Sequence, residues 1–139
     1  MKIYNIFISH AWKYSDDYNT IVSWLDRAKA NGELNWKDYS VPEHDPKFDP
    51  KTQTGKRALK EELKKQIAPA SVVLVIAGMY VAYSDWIDFE IDTALDMEKY
   101  IVGIRPRGSE KTPRKVEDNA DVMVNWNSKS LIDAIKASS

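Results

Sequence analysis

The sequence lacks cysteine, contains only two histidines and carries almost no net charge. The absence of cysteine excludes a disulfide framework, a thiol nucleophile and a Cys-ligated zinc site, and His10 and His44 alone cannot form a multi-histidine metal site. The net charge of −1 disfavours non-specific binding to nucleic acid or anionic lipid. The first apolar run, residues 3–8, is too short for a signal peptide or a membrane span. We therefore expect a cytoplasmic protein with no metal site and no nucleic-acid or membrane partner.

Glycine is also scarce, and the five glycines are scattered along the chain. Neither the G-x-G-x-x-G pattern of a dinucleotide-binding turn nor the G-x-x-x-x-G-K-[ST] pattern of a P-loop is present. The sequence therefore gives no support for a Rossmann-type cofactor site or for a phosphate-binding loop.

The 139 residues, of which 43% are hydrophobic, predict a single domain over residues 1–139 with a folded core. Apolar runs alternate with amphipathic segments from end to end, which is typical of a parallel sheet covered by helices. The predicted strands cover residues 3–9, 35–41, 71–77, 100–105 and 120–124. The predicted helices cover residues 15–30, 54–67, 85–99 and 128–137. Loops are expected over residues 42–53, which include three prolines at their start, middle and near their end, and over residues 106–119.

Right-handed crossovers between these elements favour a flavodoxin-like, three-layer α/β fold with a five-stranded parallel sheet in the order 2-1-3-4-5. In such sheets ligands bind outside the carboxyl ends of the strands, where the strand order reverses. That rule places the expected site between strands one and three. The segments predicted to surround it are residues 9–15, 36–53 and 78–90.

One carboxylate of the predicted helix 85–99 falls on the apolar face of that helix. At roughly 100° per residue, Glu90 shares an arc with apolar side chains. The arc comprises Trp86, Ile87, Ile91, Ala94, Leu95 and Met97. A carboxylate on the core side costs free energy, so Glu90 is either a hydrogen-bonded structural residue or a catalytic one. Its position about one and a half turns into the predicted helix directs the side chain towards the strand ends and favours the catalytic role.

Other polar residues near the expected site have more ordinary interpretations. Three carboxylates recur on the opposite side of the same helix and are interpreted as a solvated face: Asp88, Asp92 and Asp96. A hydrolase triad of Ser9, His10 and Glu90 is disfavoured, because adjacent residues rarely reach each other productively and no nucleophile elbow is present. The basic stretch over residues 105–115 is interpreted as a solvated loop rather than a phosphate site.

Aromatic residues are frequent on the segments predicted to surround the site. Trp12, Trp36, Trp86 and Tyr39 all fall on these segments. Each alone is typical of packing, but their convergence would suit the stacking of a flat ring such as a nucleobase.

The chain contains the segments Ile3-Tyr-Asn-Ile-Phe-Ile-Ser9-His10, Trp36-Lys-Asp38-Tyr-Ser40 and Ser84-Asp-Trp86-Ile-Asp-Phe-Glu90-Ile91. Together these segments resemble the Toll/interleukin-1 receptor-like (TIR-like) domains. The likeness extends over nearly the whole chain. It is greatest to the small bacterial TIR-like proteins of Thoeris antiphage defence, which the chain also resembles in residues 101–106 and in Trp126.

The resemblance implies an enzyme, an NAD nucleosidase or ADP-ribosyl cyclase, that takes NAD as its substrate and needs no cofactor. Nicotinamide leaves a cationic substrate as a neutral molecule, so a single carboxylate that holds the ribose and stabilises an oxocarbenium-like transition state is sufficient. Glu90 is the expected catalytic residue. The residues expected to bind the nucleotide are Ser9, His10, Trp12, Asp38, Ser40 and Trp86. The implied product is an ADP-ribose-derived, often cyclic, signalling nucleotide. The implied partners are other copies of the chain and a separate effector that senses this product.

Two other functions remain open at this point. In a non-enzymatic TIR-like scaffold Glu90 would be structural and the proline-containing loop 42–53 would bind a partner, so that Glu90→Gln would leave biological activity intact. A nucleoside deoxyribosyltransferase, which has a similar topology and also places a glutamate on a nucleoside ribose, would turn over free deoxynucleosides and ignore NAD.

Overall fold

The computed structural model of the chain describes residues 2–8, 16–39, 57, 61, 64–77, 80–105 and 112–138, with the backbone alone described for residues 80–86. The strands are β1 (Ile3–Ile8), β2 (Asn35–Asp38), β3 (Val72–Ile76), β4 (Tyr100–Ile104) and β5 (Val122–Val124). Four helices have defined bounds: α1 (Asp16–Ala30), α2 (Tyr80–Asp96), α3 (Arg114–Asn119) and α4 (Ser128–Ala137). Residues 57, 61 and 64–67 are also helical and fall inside the helix predicted over 54–67. The predicted loop 42–53 lies outside the described residues.

The strands pair in the order β2-β1-β3-β4-β5, and each pair is parallel. This arrangement confirms the predicted flavodoxin-like α/β fold. Ile6 of β1 pairs with Asp38 of β2 on one side and with Val72 of β3 on the other. The chain passes from β1 through α1 to β2, and in the opposite direction from β3 through α2 to β4. Right-handed crossovers therefore place α1 and α2 on opposite faces of the sheet.

The core is centred on β1 and β3. All five residues of β3 are buried, and so are Ile6, Phe7 and Ile8 of β1. An unbroken apolar run of this kind is typical of a strand covered by helices on both faces. Burial of each large apolar side chain stabilises the fold by about 1.5–3 kcal/mol. The edge strands are shorter, with four residues in β2 and three in β5.

The strand β4 approaches its neighbours closely at Gly103. A Cβ atom at this position would meet the Sδ atom of Met123, its partner on β5, and would lie 3.1 Å from Cγ1 of Val116 on α3. Glycine in a strand often marks such a close approach. Gly103 therefore allows α3 and the Met123 side chain to pack directly against the sheet.

The helix α2 differs at both ends from the prediction of 85–99. It begins at Tyr80, since residues 80–84 contain neither proline nor glycine to prevent a helix directly after β3. Its C-terminal end is set by Glu98, which adopts a left-handed φ of 56°. The Glu98 amide donates a hydrogen bond to the Leu95 carbonyl at 3.1 Å. The Lys99 amide donates to the Ala94 carbonyl at 2.9 Å, and this turn ends the helix.

The segment predicted as a loop over 106–119 was assigned incorrectly in part, because it contains the helix α3. The helix has only six residues and buries only Val116, so it carries too little periodicity to be read from the sequence. The strand predicted over 120–124 is shorter for a related reason. The Ala120 amide bonds to Val116 and completes the helical turn, while Oδ2 of Asp121 accepts a hydrogen bond from the Ile101 amide at 2.7 Å.

The remaining strand boundaries differ by a few residues. β2 ends at Asp38 rather than at residue 41, although the Tyr39 amide still donates to the Ile6 carbonyl at 2.8 Å. β4 ends at Ile104, and the Arg105 amide continues the pairing by donating to the Val124 carbonyl at 2.8 Å. None of the helices in the described part of the chain combines the length and the apolar character needed to cross a membrane.

Candidate active site

Glu90 is a buried carboxylate on the sheet-facing side of α2. Its exposed fraction is 1%, and Ile87, Ile91 and Ala94 on the same side are equally inaccessible. The prediction that Glu90 lies within the apolar stripe is therefore confirmed. Its depth was predicted incorrectly, because α2 begins at Tyr80 and Glu90 lies roughly three turns from that end. Leu95 was also assigned incorrectly to the stripe, since it is 42% exposed.

The other polar groups of α2 have ordinary structural roles. Thr93 is buried, and its hydroxyl donates to the Phe89 carbonyl one turn earlier at 2.7 Å. On the outer face, Oδ1 of Asp92 lies 2.7 Å from Nζ of Lys115, an ion pair that joins α2 to α3. Asp96 is exposed at the end of the helix. A lysine pairs with Asp92 and a backbone carbonyl with Thr93, and among the described side chains of α2 Glu90 is the buried carboxylate.

Asp38 lies at the carboxyl end of β2, beside the central strand β1. Its side chain is exposed, and its Oδ2 accepts a hydrogen bond of 2.6 Å from the hydroxyl of Tyr18 in the first turns of α1. A second bond joins the same two elements, because Nε1 of Trp36 donates to Oδ1 of Asp26 at 3.0 Å. Side chains alternate along a strand, so Trp36 and Asp38 share the face covered by α1.

One residue of the aromatic cluster predicted for nucleobase stacking, Trp36, is not available to a ligand. Trp36 is only 5% exposed and packs in the core, with its indole nitrogen bound to Asp26. It is therefore a packing residue rather than a free stacking surface. Tyr39 is partly buried, and Nζ of Lys37 lies 5.5 Å from the centre of its ring.

The described members of the basic stretch contact other groups of the chain, and the contact of Lys115 with Asp92 has been given above. Nη1 of Arg105 donates to Oδ1 of Asn125 at 3.2 Å, between the ends of β4 and β5. Nε of Arg114 lies 3.9 Å from Oδ2 of Asp118, one turn further along α3, and both side chains are exposed. Such exposed pairs contribute little to stability, which agrees with the interpretation as a solvated surface.

Of the seven predicted site residues, Glu90 and Asp38 have described side chains. Asp38 ends the edge strand β2 with its side chain on the face covered by α1, and Glu90 lies in α2, which covers the opposite face. Trp86 lies within α2, where only the backbone is described. The others lie outside the described residues: Ser9, His10, Trp12 and Ser40.

Sequence reasoning missed Tyr18 as a partner of the site. Its position at helical spacing predicts a residue on the packed face of α1, and it is in fact partly buried there. Its hydroxyl bonds across the β1-α1-β2 unit to a residue 20 positions later. Such a contact follows from the geometry of the unit and has no signal in local spacing.

Solved structures of two bacterial proteins have a similar fold. A conserved protein from Enterococcus faecalis V583 has a TM-score of 0.62 at 9% identity, with 99% of this chain and 100% of that chain covered. The CMP N-glycosidase BcmB from Clostridium botulinum has a TM-score of 0.51 at 12% identity, with 95% and 98% covered. At these identities the likeness shows the fold alone. No curated protein matches the chain at a significant level.

A family comparison is more specific than these structural likenesses. The model of the family described as "Thoeris protein ThsB, TIR-like domain" matches residues 7–111. The matched segment begins in β1, extends past β4 and includes both Asp38 and Glu90. The match covers well over half of the chain, and we conclude that the chain belongs to the TIR-like domain family of the Thoeris protein ThsB.

Proposed function

We propose that this protein cleaves NAD at the bond between nicotinamide and ribose and converts the ADP-ribose part into a signalling nucleotide, often a cyclic one. Its family makes it a defence-related TIR-like protein. The observation that carries the more specific proposal is the burial of Glu90, with 1% of its surface exposed, on the core side of α2.

A buried carboxylate is costly and therefore informative. Removing a carboxylate from water costs several kcal/mol unless the surroundings compensate, and such groups occur often at functional sites. The same helix shows that acidic residues are readily placed elsewhere, because Asp92 and Asp96 lie on its exposed face. Retention of Glu90 on the core side thus supports a chemical role for its charge.

The chemistry proposed for Glu90 needs a single carboxylate. When the bond between the ribose C1′ and the nicotinamide nitrogen breaks, its electron pair goes to the pyridinium ring, and nicotinamide leaves as a neutral molecule. Positive charge then develops on C1′ and on the ribose ring oxygen. A carboxylate in a site with little water stabilises this charge more strongly than one in solution. A hydroxyl or ring nitrogen of the same ADP-ribose then attacks C1′ and releases a proton, which gives the cyclic product.

The fold is compatible with this type of reaction. The structural neighbour from Clostridium botulinum is named a CMP N-glycosidase, and an N-glycosidic bond is also the bond proposed to break here. The likeness lies in the fold, so it shows that a fold of this kind can host the cleavage of an N-glycosidic bond and carries no residue assignments.

The test is mass spectrometry of small nucleotides in extracts of phage-infected cells that express the protein. We expect an ADP-ribose-derived species in cells with the unaltered chain, reduced at least about 100-fold by Glu90→Gln. Asp92→Asn, which changes an exposed carboxylate of the same helix, serves as the matched control and should leave the product in place.

The opposite result is equally clear. If the cells are protected but their nucleotides match those of uninfected cells, and Glu90→Gln also protects, NAD cleavage is wrong and the scaffold function takes its place.

A further inference from the structure

We infer that Asp38, positioned by Tyr18, binds the ribose hydroxyls of the adenosine half of NAD and thereby excludes NADP. This inference rests on the proposed function and adds a specificity determinant to it. The observation behind it is the hydrogen bond of 2.6 Å from the Tyr18 hydroxyl to Oδ2 of Asp38.

Asp38 ends an edge strand beside the two strands at which the sheet order reverses. It is the last residue of β2 and pairs with Ile6 of β1, which in turn pairs with Val72, the first residue of β3. The chain leaves β1 and β3 towards opposite faces, which is the arrangement that creates a ligand crevice at the carboxyl edge of a parallel sheet. In the Rossmann fold an acidic residue accepts a hydrogen bond from a ribose hydroxyl, and this chain has an acidic residue at the end of its second strand although it lacks the glycine turn of that fold. Asp38 is exposed, so a ligand has access to it.

The bond from Tyr18 fixes the orientation of the Asp38 carboxylate. At 2.6 Å it has the length of a charge-assisted O–H to carboxylate bond, which is stronger than a bond between neutral groups. An exposed aspartate would otherwise sample several rotamers, so Tyr18 reduces the entropy lost when the carboxylate binds a diol.

A fixed carboxylate distinguishes NAD from NADP by charge. The adenosine ribose of NAD presents two hydroxyls that donate hydrogen bonds, whereas that of NADP carries a phosphate on one of them. Like charges placed together repel, so the carboxylate disfavours the phosphate. Asp38 therefore favours NAD in two ways: it accepts hydrogen bonds from the ribose hydroxyls of NAD and it repels the phosphate of NADP.

The separation of Asp38 from Glu90 fits a substrate that has two riboses. Asp38 lies on the α1 face of the sheet, and Glu90 lies in α2 on the opposite face. A dinucleotide has one ribose for each of these two carboxylates, the nicotinamide ribose for Glu90 and the adenosine ribose for Asp38. A mononucleotide such as nicotinamide mononucleotide lacks the second ribose and would not reach Asp38.

A purely structural role for Tyr18 can be separated from this one. The bond between Trp36 and Asp26 also joins β2 to α1, at 3.0 Å, and it involves no group placed in the site. If Tyr18 merely fastens the helix to the strand, loss of either bond should have the same effect on ligand binding. Trp36→Phe is therefore the matched control for Tyr18→Phe.

The test is calorimetric titration of the purified chain with ADP-ribose and with its 2′-phosphorylated form, which requires no turnover. We expect ADP-ribose to bind at least about tenfold more tightly than the phosphorylated form. Asp38→Asn should bring the two affinities within about twofold, and Tyr18→Phe should reduce the ratio severalfold. Trp36→Phe should lower the melting temperature and leave the ratio unchanged.

The inference is overturned if the unaltered chain binds both compounds equally or binds neither, or if Asp38→Asn preserves the ratio. It is also overturned if Asp38→Asn weakens the binding of nicotinamide mononucleotide as strongly as the binding of ADP-ribose. Equal effects of Tyr18→Phe and Trp36→Phe on the ratio would remove Tyr18 as a positioning residue. Failure of NAD cleavage in infected cells rejects the proposed function alone, because the affinity ratio is measured independently.

Discussion

The helices α1 and α2 differ in the charged residues at their ends, although each connects two parallel strands. α1 has Asp16 and Asp17 in its first turn and Arg27 and Lys29 in its last, which is the charge distribution that stabilises a helix dipole. α2 has no acidic residue in its first turn and no basic residue in its last turn. The stability of α1 is thus supported by its own sequence, whereas α2 depends on packing against the sheet.

The two helices also differ at their C-terminal turns. After α1, Gly32 adopts a left-handed φ of 76°, and after α2 the same role falls to Glu98, with a φ of 56°. Glycine reaches this conformation at almost no cost, and a residue with a side chain does not. The helix that carries the candidate catalytic residue is therefore the one that departs from the rules of helix stability. Departures of this kind are common at functional sites.

The largest change in stability among these variants is expected from Glu90→Met, which replaces the buried carboxyl group by an apolar side chain of similar volume. We expect the free energy of unfolding to rise by about 1–2 kcal/mol, because an apolar residue replaces a desolvated carboxylate. Urea denaturation monitored by circular dichroism measures this change. A loss of several kcal/mol would mean that Glu90 holds a structural network, and the contrast with α1 would then lose its functional meaning.

A smaller loss is expected at the end of α1. Gly32→Ala places a side chain at φ 76°, where it meets no atom within 4 Å, so the whole cost is backbone strain. We expect a loss of about 1 kcal/mol in the free energy of unfolding. Thermal unfolding measures this loss. The control is Asn31→Ala, which changes the exposed neighbouring residue and does not place a side chain at a positive φ. An unchanged melting temperature would show that this turn does not limit stability.

The smallest effect is expected at the end of α2, in the opposite direction. Glu98→Gly relieves the left-handed strain but adds flexibility to the unfolded chain, so we expect a net gain of about 0.5–1 kcal/mol. Glu98→Gln keeps the strain without the charge and separates the two contributions. If both variants gain equally, charge rather than conformation is responsible, and the two C-terminal turns are equivalent.

The strand order could be predicted from the sequence because the hydrophobic pattern is strong. β3 is a continuous apolar run, and the alternation of strands with helices leaves few right-handed arrangements. The helix boundaries could not be predicted where they depend on the backbone conformation of a single residue. Nothing in a local pattern requires Glu98 to adopt a positive φ or a helix to form around Val116.

The candidate site was predictable only to the extent that it lies on regular elements. Burial of Glu90 follows from helical periodicity, and the place of Asp38 follows from the end of a strand. The depth of Glu90 did not follow, since it depends on where α2 begins. The partnership of Tyr18 with Asp38 depends on how α1 crosses the sheet, and the core position of Trp36 depends on its bond to Asp26.

The short edge strands restrict how copies of the chain can associate. An open strand edge presents N–H and C=O groups that another chain can pair with, and such pairing leads to uncontrolled sheet growth. β2 offers only four residues, two of them the charged Lys37 and Asp38, and β5 offers three. Fibre formation through these edges is therefore disfavoured at high local concentration. The association between copies that the family resemblance implies would then use side-chain surfaces rather than strand pairing.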